Sequence, residues 1–210
     1  MNKEFKSFDL KVLAEGGLIQ YGKDFLSIEE SNKLFNYLLS NVKWTQHYYK
    51  DFVTGEPRPT PRLTAWYADD SNMSYSYSGI KENVLPWIPE LILIKNEVEK
   101  YTGHSYNSVL LNYYRNGNDS VGFHADDEKE LGLNATIASL SLGDTRKFVL
   151  KQYKASKGNS ITSKEVSFEL TNGSILVMSG TTQHYWKHSI PKTKYSQPRI
   201  NLTFRSFNDV

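Results

Sequence analysis

Cysteine is absent from the 210 residues of this sequence, and histidine is scarce, with five residues. The absence of cysteine excludes disulfides, thiolate metal sites and cysteine nucleophiles, and it is compatible with a reducing compartment. A metal site in this chain must therefore use imidazole or oxygen ligands.

Long apolar segments are absent as well. No run approaches the roughly 18 residues that a membrane-spanning helix needs, and residues 1–17 lack the continuous apolar region of a secretory signal. With 39% hydrophobic and 13% aromatic residues, the composition is typical of a globular protein that folds on its own. We expect an intracellular monomer, cytoplasmic or, in a eukaryote, nuclear, without membrane association.

Acidic residues are missing from two long stretches, although the net charge is only +2. Residues 145–164 contain six basic residues and no acid, and residues 170–208 contain five basic residues and no acid. A local basic surface of this kind attracts phosphates. For the first stretch alone, a solvated loop is the simpler interpretation, and we favour it.

Helix signals are concentrated in the first half of the chain. Ser27–Glu30 has the form of a capping box and precedes apolar residues at helical spacing, which predicts an amphipathic helix. A second helix is predicted to begin near Pro89 and to end before Gly103. From Tyr106 onward, short runs rich in β-branched and aromatic residues alternate with turn signals, which favours an all-β sandwich or barrel.

Two of the predicted strands carry unusual polar faces. In residues 199–205, alternation places Arg199, Asn201, Thr203 and Arg205 on one face and three apolar residues on the other. Asn112 and Tyr114 likewise share a face of the strand at 109–114. Solvent is the simplest environment for such a face. If the faces point into a small barrel instead, the arginines are suited to bind a carboxylate.

A metal-ligand pattern begins at His124, because Asp126 follows two residues later and falls on the same side of an extended chain. A downstream histidine, His184 or His188, would complete two histidines and one carboxylate, a set that leaves open positions for non-haem Fe(II) chemistry. Zinc is the alternative if a helix places His184 and His188 on one face. A helix is disfavoured there because the segment is rich in threonine and aromatic residues and stops at Pro191.

Several longer motifs carry a family resemblance. LLNYYRNGNDSVGFHADDE, IASLSLG, RKFVL, GSILVMSGTTQHYWKHSIPK and PRINLTFR, spread in order over residues 106–207, resemble the AlkB family of Fe(II)- and 2-oxoglutarate-dependent nucleic-acid demethylases. Upstream, TPRLTAWYAD (60–69), YSYSG (75–79) and PWIP (86–89) are similar to the substrate-binding lid of that family, particularly of its branch that repairs double-stranded DNA.

The resemblance implies a fold that is mainly β with flanking helices (α+β). Its core would be a double-stranded β-helix, or jelly roll, with an N-terminal helical extension and a nucleotide-recognition lid. Three parts follow along the chain. Residues 1–50 would form the extension with the amphipathic helix, residues 51–105 the lid and a support helix within the same domain, and residues 106–210 the catalytic core.

The resemblance also assigns candidate site residues. The catalytic iron ligands would be His124, Asp126 and His188, and the cofactors would be Fe(II) and 2-oxoglutarate, with O₂ as co-substrate. Arg199 would bind the distal carboxylate of 2-oxoglutarate beside Tyr114, while the end near the metal would be held by Asn112, Asn201 and Arg205. Tyr77 would stack on the flipped base, and further substrate contacts would come from Tyr75, Arg62 and Glu128.

The implied reaction is the oxidative demethylation of N1-methyladenine and N3-methylcytosine, with release of formaldehyde, succinate and CO₂. Alkylated DNA is the expected partner, with RNA as a second candidate. Enzymes of the duplex-specific branch fill the gap left by the flipped base with an apolar side chain, whereas alignment places Thr54 at that position here, and Phe52 or Val53 would fit only if the loop is shifted. Single-stranded substrates therefore stay open, as does a related oxygenase that acts on RNA, a protein or a small molecule.

Overall fold

The computed structural model describes residues 8–51, 53–71, 73, 75–77, 80–160 and 165–208, with only the backbone described for 75–77 and 80–82. The helices are α1 (Ile28–Asn41), α2 (Pro89–Thr102) and α3 (Thr182–Tyr185), with 3₁₀ turns at Ala14–Gly16 and Lys129–Leu131. The strands are β1 (Asp9–Val12), β2 (Gly17–Gly22), β3 (Tyr48–Lys50), β4 (Pro57–Pro59), β5 (Leu63–Ala68), β6 (Tyr75–Tyr77), β7 (Ile80–Glu82), β8 (Val84–Leu85), β9 (Ser108–Tyr114), β10 (Val121–His124), β11 (Ile137–Gly143), β12 (Arg146–Gln152), β13 (Glu165–Leu170), β14 (Ile175–Gly180), β15 (Trp186–Ile190) and β16 (Arg199–Arg205).

Both long helices are where the sequence predicts them. At the start of α1, the Ser27 side chain accepts from the backbone N–H of Glu30, and the Glu30 carboxylate accepts from the backbone N–H of Ser27. This reciprocal cap satisfies two donors that the helix cannot satisfy itself. Helix α2 has Pro89 in its first turn and stops at Gly103, whose φ of 71° is left-handed.

Two sheets face each other and form the centre of the molecule. The larger has the strand order β1-β2-β14-β11-β16-β9-β5-β8, and the smaller has the order β10-β15-β12-β13. One apolar cluster lies between the two sheets, and a second packs α1 and α2 against the opposite face of the larger sheet. The central strands of the larger sheet are therefore buried on both faces, so every side chain of β16 is buried whichever way it points.

Strands β9 and β16 are neighbours in the larger sheet and bring their polar faces together. They run antiparallel with Arg199 opposite Tyr114 and Asn201 opposite Asn112. Because side chains alternate between faces, these polar residues share the side that faces the smaller sheet. The alternative that this face meets solvent is wrong, since Arg199, Asn201, Thr203 and Arg205 are all buried.

The first acid-free stretch is not the solvated loop that we favoured. Residues 146–152 form β12, which pairs with both β13 and β15. Only Lys147 and Lys151 of this strand are exposed, and Arg146 is buried. Counting charges along the stretch missed this because Phe148 and its apolar neighbours occupy the centre of the strand. The loop begins only after Gln152, and residues 161–164 lie outside the described part.

Segments before Tyr106 also contribute strands to the larger sheet. Strand β2 pairs with β14, and β5 pairs with β9. Strands β3 and β4 form a separate two-stranded hairpin. The division at residues 50 and 105 into extension, lid and core stays a prediction.

Candidate metal and 2-oxoglutarate site

The antiparallel pairing of β10 and β15 builds the centre of the site. It places His124 directly opposite His188 at the end of β10, with the two ring centroids 4.2 Å apart. Asp126 follows two residues beyond the end of β10. One ligand atom from each of the three residues lies within 4.8 Å of the others. Among the described residues, this is the only group of three or more histidines and acids with such spacing.

The protonation states of this cluster suit a divalent metal. Burial lowers the pKa of His124, and burial together with the neighbouring His124 lowers the pKa of His188 to about 3. Burial raises the pKa of Asp126, but Arg205 and the two imidazoles outweigh it and lower the value to about 2. Near neutral pH the cluster is therefore two neutral imidazoles and one carboxylate, the forms that bind metal.

Hydrogen bonds orient two of the ligands. The Nδ1 of His124 lies 2.9 Å from the carbonyl oxygen of Gly122, which can only accept, so Nδ1 carries the proton and Nε2 keeps its lone pair. That Nε2 lies 3.7 Å from Oδ1 of Asp126, while Oδ2 of Asp126 forms an ion pair of 3.0 Å with Nη2 of Arg205. Oδ1 of Asp126 and Nδ1 of His188 are buried without a hydrogen-bond partner in the described structure. A bound metal ion would satisfy Oδ1 of Asp126.

Arg199 provides a second set of unsatisfied polar atoms. Its side chain is 1% exposed, and Nη2 donates to Ser141 Oγ at 2.9 Å. Nε and Nη1 are buried without a hydrogen-bond partner among the described residues. Burial lowers the pKa of Arg199 to about 10, which leaves the guanidinium charged near neutral pH. Tyr114 is a hydrogen-bonding neighbour of this guanidinium, and the two donors that lack a partner by geometry fit a carboxylate from a ligand.

The remaining candidate cofactor residues surround the same cavity. Tyr114 places its ring 5.1 Å from the Arg199 guanidinium. Asn201 donates through Nδ2 to Ser139 Oγ and to the Leu140 carbonyl, and these bonds fix its amide. The cavity is lined by all three metal-ligand candidates and all five candidate 2-oxoglutarate residues, which are Asn112, Tyr114, His124, Asp126, His188, Arg199, Asn201 and Arg205.

Comparison with known proteins identifies the family. A family model described as the 2OG-Fe(II) oxygenase superfamily matches residues 19–205. The chain belongs to this superfamily. The name of the superfamily states Fe(II) and 2-oxoglutarate. These are the two groups that fit the orphaned ligand atom and the unpartnered Arg199 donors.

Curated relatives of this chain fall in the AlkB family. Alpha-ketoglutarate-dependent dioxygenase alkB homolog 3 of Bos taurus is 42% identical over 87% of this chain and 63% of the relative. DNA oxidative demethylase ALKBH2 of Mus musculus is 36% identical over 96% of this chain and 85% of the relative. The chain thus spans somewhat less than two thirds of the first relative. The family resemblance found in the motifs is confirmed.

A solved structure agrees on the fold. The superposition with the structure of OsALKBH1 covers 94% of this chain and 100% of the OsALKBH1 chain, with a TM-score of 0.59 at 18% sequence identity. Together with the family match, this confirms the predicted jelly-roll class, mainly β with flanking helices. No helix in the described part of the chain is long and apolar enough to cross a membrane.

The candidate substrate residues are more dispersed than the candidate metal ligands. Arg62 lines the cavity and donates through Nε to Asn112 Oδ1 at 2.8 Å, so it connects the substrate side to a candidate cofactor residue. Glu128 is half-buried just before the 3₁₀ turn at Lys129–Leu131, and it does not line the cavity. The side chains of Tyr75 and Tyr77 lie outside the described part of the structure, and the roles of all four stay predictions.

The β3–β4 hairpin carries the predicted position of the base-gap residue. Its turn is held by the Asp51 carboxylate, which accepts from the backbone N–H groups of Val53 and Thr54. Thr54 is exposed in this turn, and the apolar Val53 beside it is 94% exposed. Phe52 lies outside the described residues. The hairpin thus presents an apolar side chain next to the position that alignment assigns to Thr54.

The zinc alternative is not supported by the geometry around His184. Contrary to expectation, residues 182–185 do form a single helical turn, α3, stabilised by the Thr182 hydroxyl, which donates to the Ser179 carbonyl at 2.6 Å. His188 belongs to the following strand, however, so the two histidines do not share a helix face. His184 is accordingly absent from the ligand group.

One residue of α3 contacts the metal-ligand segment and was missed by sequence reasoning. The buried Gln183 accepts through Oε1 from the backbone N–H of Asp126 at 3.0 Å, and its Nε2 lies 3.4 Å from Met178 Sδ. It therefore holds the backbone of the carboxylate ligand in place. Nothing in the segment TTQHYWKH marks Gln183, because its partner lies 57 residues away in sequence.

Proposed function

We propose that this protein is an Fe(II)- and 2-oxoglutarate-dependent dioxygenase that repairs alkylated nucleic acid by oxidative demethylation. One observation carries the proposal. The cavity contains a cluster of two neutral imidazoles and a carboxylate with unsatisfied atoms, together with a buried arginine that has two free donors. These features match, respectively, a metal with open positions and the far carboxylate of a dicarboxylic 2-oxo acid.

Each part of the chain has a separate task in this mechanism. His124, Asp126 and His188 would hold Fe(II), and Arg205 neutralises the Asp126 carboxylate through its ion pair of 3.0 Å. Iron and 2-oxoglutarate, when bound, supply the oxidising chemistry that hydroxylates a methyl group with O₂ and yields succinate and CO₂. The hydroxymethyl group then leaves the base nitrogen as formaldehyde.

Arg199 orients the 2-oxo acid in this mechanism. Its Nε and Nη1 would donate to the distal carboxylate, while the bond from Nη2 to Ser141 keeps the guanidinium plane fixed. Apolar side chains such as Leu110, Phe148 and Ile190 line the same cavity and limit the access of water. A buried, water-poor pocket strengthens the ion pair between ligand and guanidinium.

The proposed substrates are N1-methyladenine and N3-methylcytosine in DNA, with RNA as a second candidate. A methyl group on the pairing edge of a base is hidden in a duplex, so the base has to be extruded into the cavity, and methylation weakens the pairing that resists this. Support comes from the relatives, one of which is named a DNA oxidative demethylase. The hairpin with exposed Tyr48 and Val53 offers side chains that can pack against bases.

The test is formaldehyde release from oligonucleotides that carry a single 1-methyladenine or 3-methylcytosine. We expect the release of formaldehyde to require Fe(II), 2-oxoglutarate and the lesion. His188→Ala should abolish this release, and His184→Ala should preserve it. Single- and double-stranded substrates, in DNA and RNA, are compared in parallel. Succinate that forms without stimulation by any alkylated oligonucleotide would refute the substrate proposal and indicate an oxygenase for a protein or a small molecule.

A further inference from the structure

Arg146 is a buried cation that lies behind the wall of the cavity. Its side chain is 2% exposed, yet it is not among the residues that line the cavity. Nη2 donates to the carbonyl oxygen atoms of Asp119 at 2.9 Å and Pro191 at 2.6 Å, and Nη1 donates to that of Asn116 at 3.4 Å. One guanidinium thus joins the loop between β9 and β10 to the end of β15.

The ring of Tyr114 connects Arg146 to the candidate 2-oxoglutarate site. The guanidinium carbon of Arg146 lies 5.6 Å from the centre of this ring, and that of Arg199 lies 5.1 Å from the same centre. Two buried guanidiniums therefore contact one aromatic ring that lines the cavity. Burial is the main cause that lowers the pKa of Arg199, and the nearby charge of Arg146 lowers it further.

In the described part of the chain, carboxylates do not pair directly with either guanidinium. Asp119 and Asp144 attract Arg146 through space, but neither forms an ion pair with it among the described contacts. The Asp119 carboxylate instead binds Arg115, with Oδ2 2.7 Å from Nε and Oδ1 2.9 Å from Nη2. Bonds to three neutral carbonyls orient Arg146 without removing its charge. This end of the cavity therefore has more positive charge than one arginine supplies.

We propose that Arg146 is a specificity-determining positioning residue that, through Tyr114 and alongside Arg199, makes the cavity select a dicarboxylic 2-oxo acid over a monocarboxylic one. The inference rests on the proposed function, because it concerns the 2-oxo acid that the proposed reaction consumes. A cation behind the wall attracts a distal carboxylate and contributes little to a methyl group at the same position. A change in the ratio of the two affinities therefore reports the charge of Arg146. An equal change in both affinities reports its structural role.

The experiment measures calorimetrically how the Mn(II)-loaded protein binds 2-oxoglutarate and 2-oxopentanoate, which has the same carbon chain without the distal carboxylate. The readout is the ratio of the two dissociation constants in wild type, Arg146→Gln and Arg146→Lys. Lys147→Gln is the matched control, because it removes the same charge from the exposed face of the same strand. Thermal unfolding and circular dichroism establish that each variant is folded.

We expect Arg146→Gln to reduce the preference for 2-oxoglutarate about tenfold, and Lys147→Gln to leave it unchanged. Arg146→Lys keeps the charge but not the planar fork, so both acids should bind more weakly while the preference stays within about threefold of wild type. If Arg146→Gln weakens both acids equally, Arg146 is only a scaffold residue and the proposal is overturned. If Arg146→Gln fails to fold, Arg146→Lys provides the test. Loss of the preference for 2-oxoglutarate in Arg146→Lys would overturn the proposal, because this variant keeps the charge.

The two proposals fail in different ways. If the wild-type protein shows no metal-dependent binding of 2-oxoglutarate, the proposed function fails. If it binds 2-oxoglutarate but releases no formaldehyde from alkylated oligonucleotides, the substrate proposal fails while the role of Arg146 is still measured. Normal activity with an unchanged preference in Arg146→Gln contradicts the inference about Arg146 alone.

Discussion

Strands β13 and β16 have the same alternation of polar and apolar residues but opposite environments. In β13, the polar residues Glu165, Ser167 and Glu169 are exposed. In β16, all seven residues are buried, including both arginines. Strand β13 lies at the edge of the smaller sheet, whereas β16 lies between β11 and β9 in the larger sheet and faces the smaller one. Alternation reveals that a strand has two faces, and the position in the sheet decides whether the polar face meets water.

The difference has an energetic cost in β16. Buried polar groups without partners destabilise a fold, because they lose their bonds to water. Ser139 and Ser141 of the neighbouring strand β11 accept hydrogen bonds from Asn201 and Arg199. The donors of Arg199 that stay unsatisfied therefore mark a place where a ligand completes the hydrogen bonding. In β13 the exposed charges need no such partner.

The largest effect is expected from Arg199→Gln in β16. The change removes the buried cation, and we expect the affinity for 2-oxoglutarate to fall about 100-fold or more, since two charge-assisted hydrogen bonds are lost. Calorimetry with the Mn(II)-loaded protein measures the change. Glu169→Gln at an exposed position of β13 is the matched control and should bind normally. Equal affinity in Arg199→Gln and wild type would show that the free donors of Arg199 do not bind the ligand.

Removal of the Gln183 side chain should have the next largest effect. In Gln183→Ala the backbone N–H of Asp126 loses its acceptor, so we expect metal affinity to fall by about 10- to 100-fold. Titration with Co(II) or Mn(II) measures this without turnover. The adjacent change His184→Ala should leave metal affinity unchanged, because His184 is outside the ligand cluster. A loss of affinity in both variants would instead indicate general disruption of α3.

A threonine-to-valine change in β16 and a serine-to-valine change in β13 sharpen the comparison through stability. The Thr203 hydroxyl donates to Asn201 Oδ1 at 2.8 Å, so Thr203→Val leaves a buried acceptor unsatisfied and should cost about 1–2 kcal/mol of unfolding free energy. Ser167→Val at an exposed strand position should be neutral or stabilise by a few tenths of a kcal/mol. Urea unfolding measures both, and equal destabilisation would contradict the difference in environment.

The smallest effect concerns the pH dependence of stability at Asp119. Burial raises the pKa of this carboxyl, but the bonds from Arg115 outweigh it and lower the pKa below its usual value. The group binds a proton more readily when unfolded, so its stabilising effect is complete above the unfolded pKa of about 4 and is lost as the pH falls through the lower folded value.

A comparison of wild type with Asp119→Asn tests this sign. Thermal unfolding should show a difference of less than about 1 kcal/mol near neutral pH, because Arg115 is partly exposed, and the difference should shrink below about pH 4. Asp24→Asn, at an exposed position, controls for the loss of one charge. A difference that grows as the pH falls would contradict the depressed pKa of Asp119.

Local sequence signals predicted much of the fold because each acts over a few residues. The capping box at Ser27, Pro89 at a helix start and Gly103 at a helix end all coincide with the observed helix termini. The charge count over residues 145–164 failed because it ignored the alternation within β12. The single turn of α3 was missed because contacts with Leu18 and Ser179, rather than helix propensity, stabilise it.

The candidate site also has residues that the sequence predicted and residues that it did not. The types of its main residues, two histidines, an aspartate and an arginine on a polar strand face, were readable from spacing, and the family resemblance selected His188 over His184. The contributions of Gln183 and Arg146 were not readable, because each acts through partners far away in sequence or through backbone carbonyl groups, which leave no mark on residue identity.

The sequence alone determined which strands have two unlike faces, where the long helices begin and end, and which side chains are able to bind a metal or a carboxylate. Only the tertiary structure decided that the polar face of β16 is enclosed between two sheets, that His188 lies opposite His124, and that a second guanidinium lies behind Tyr114. The physical reason is that propensity and alternation are properties of neighbouring residues, whereas burial and charge proximity depend on which strands pack together.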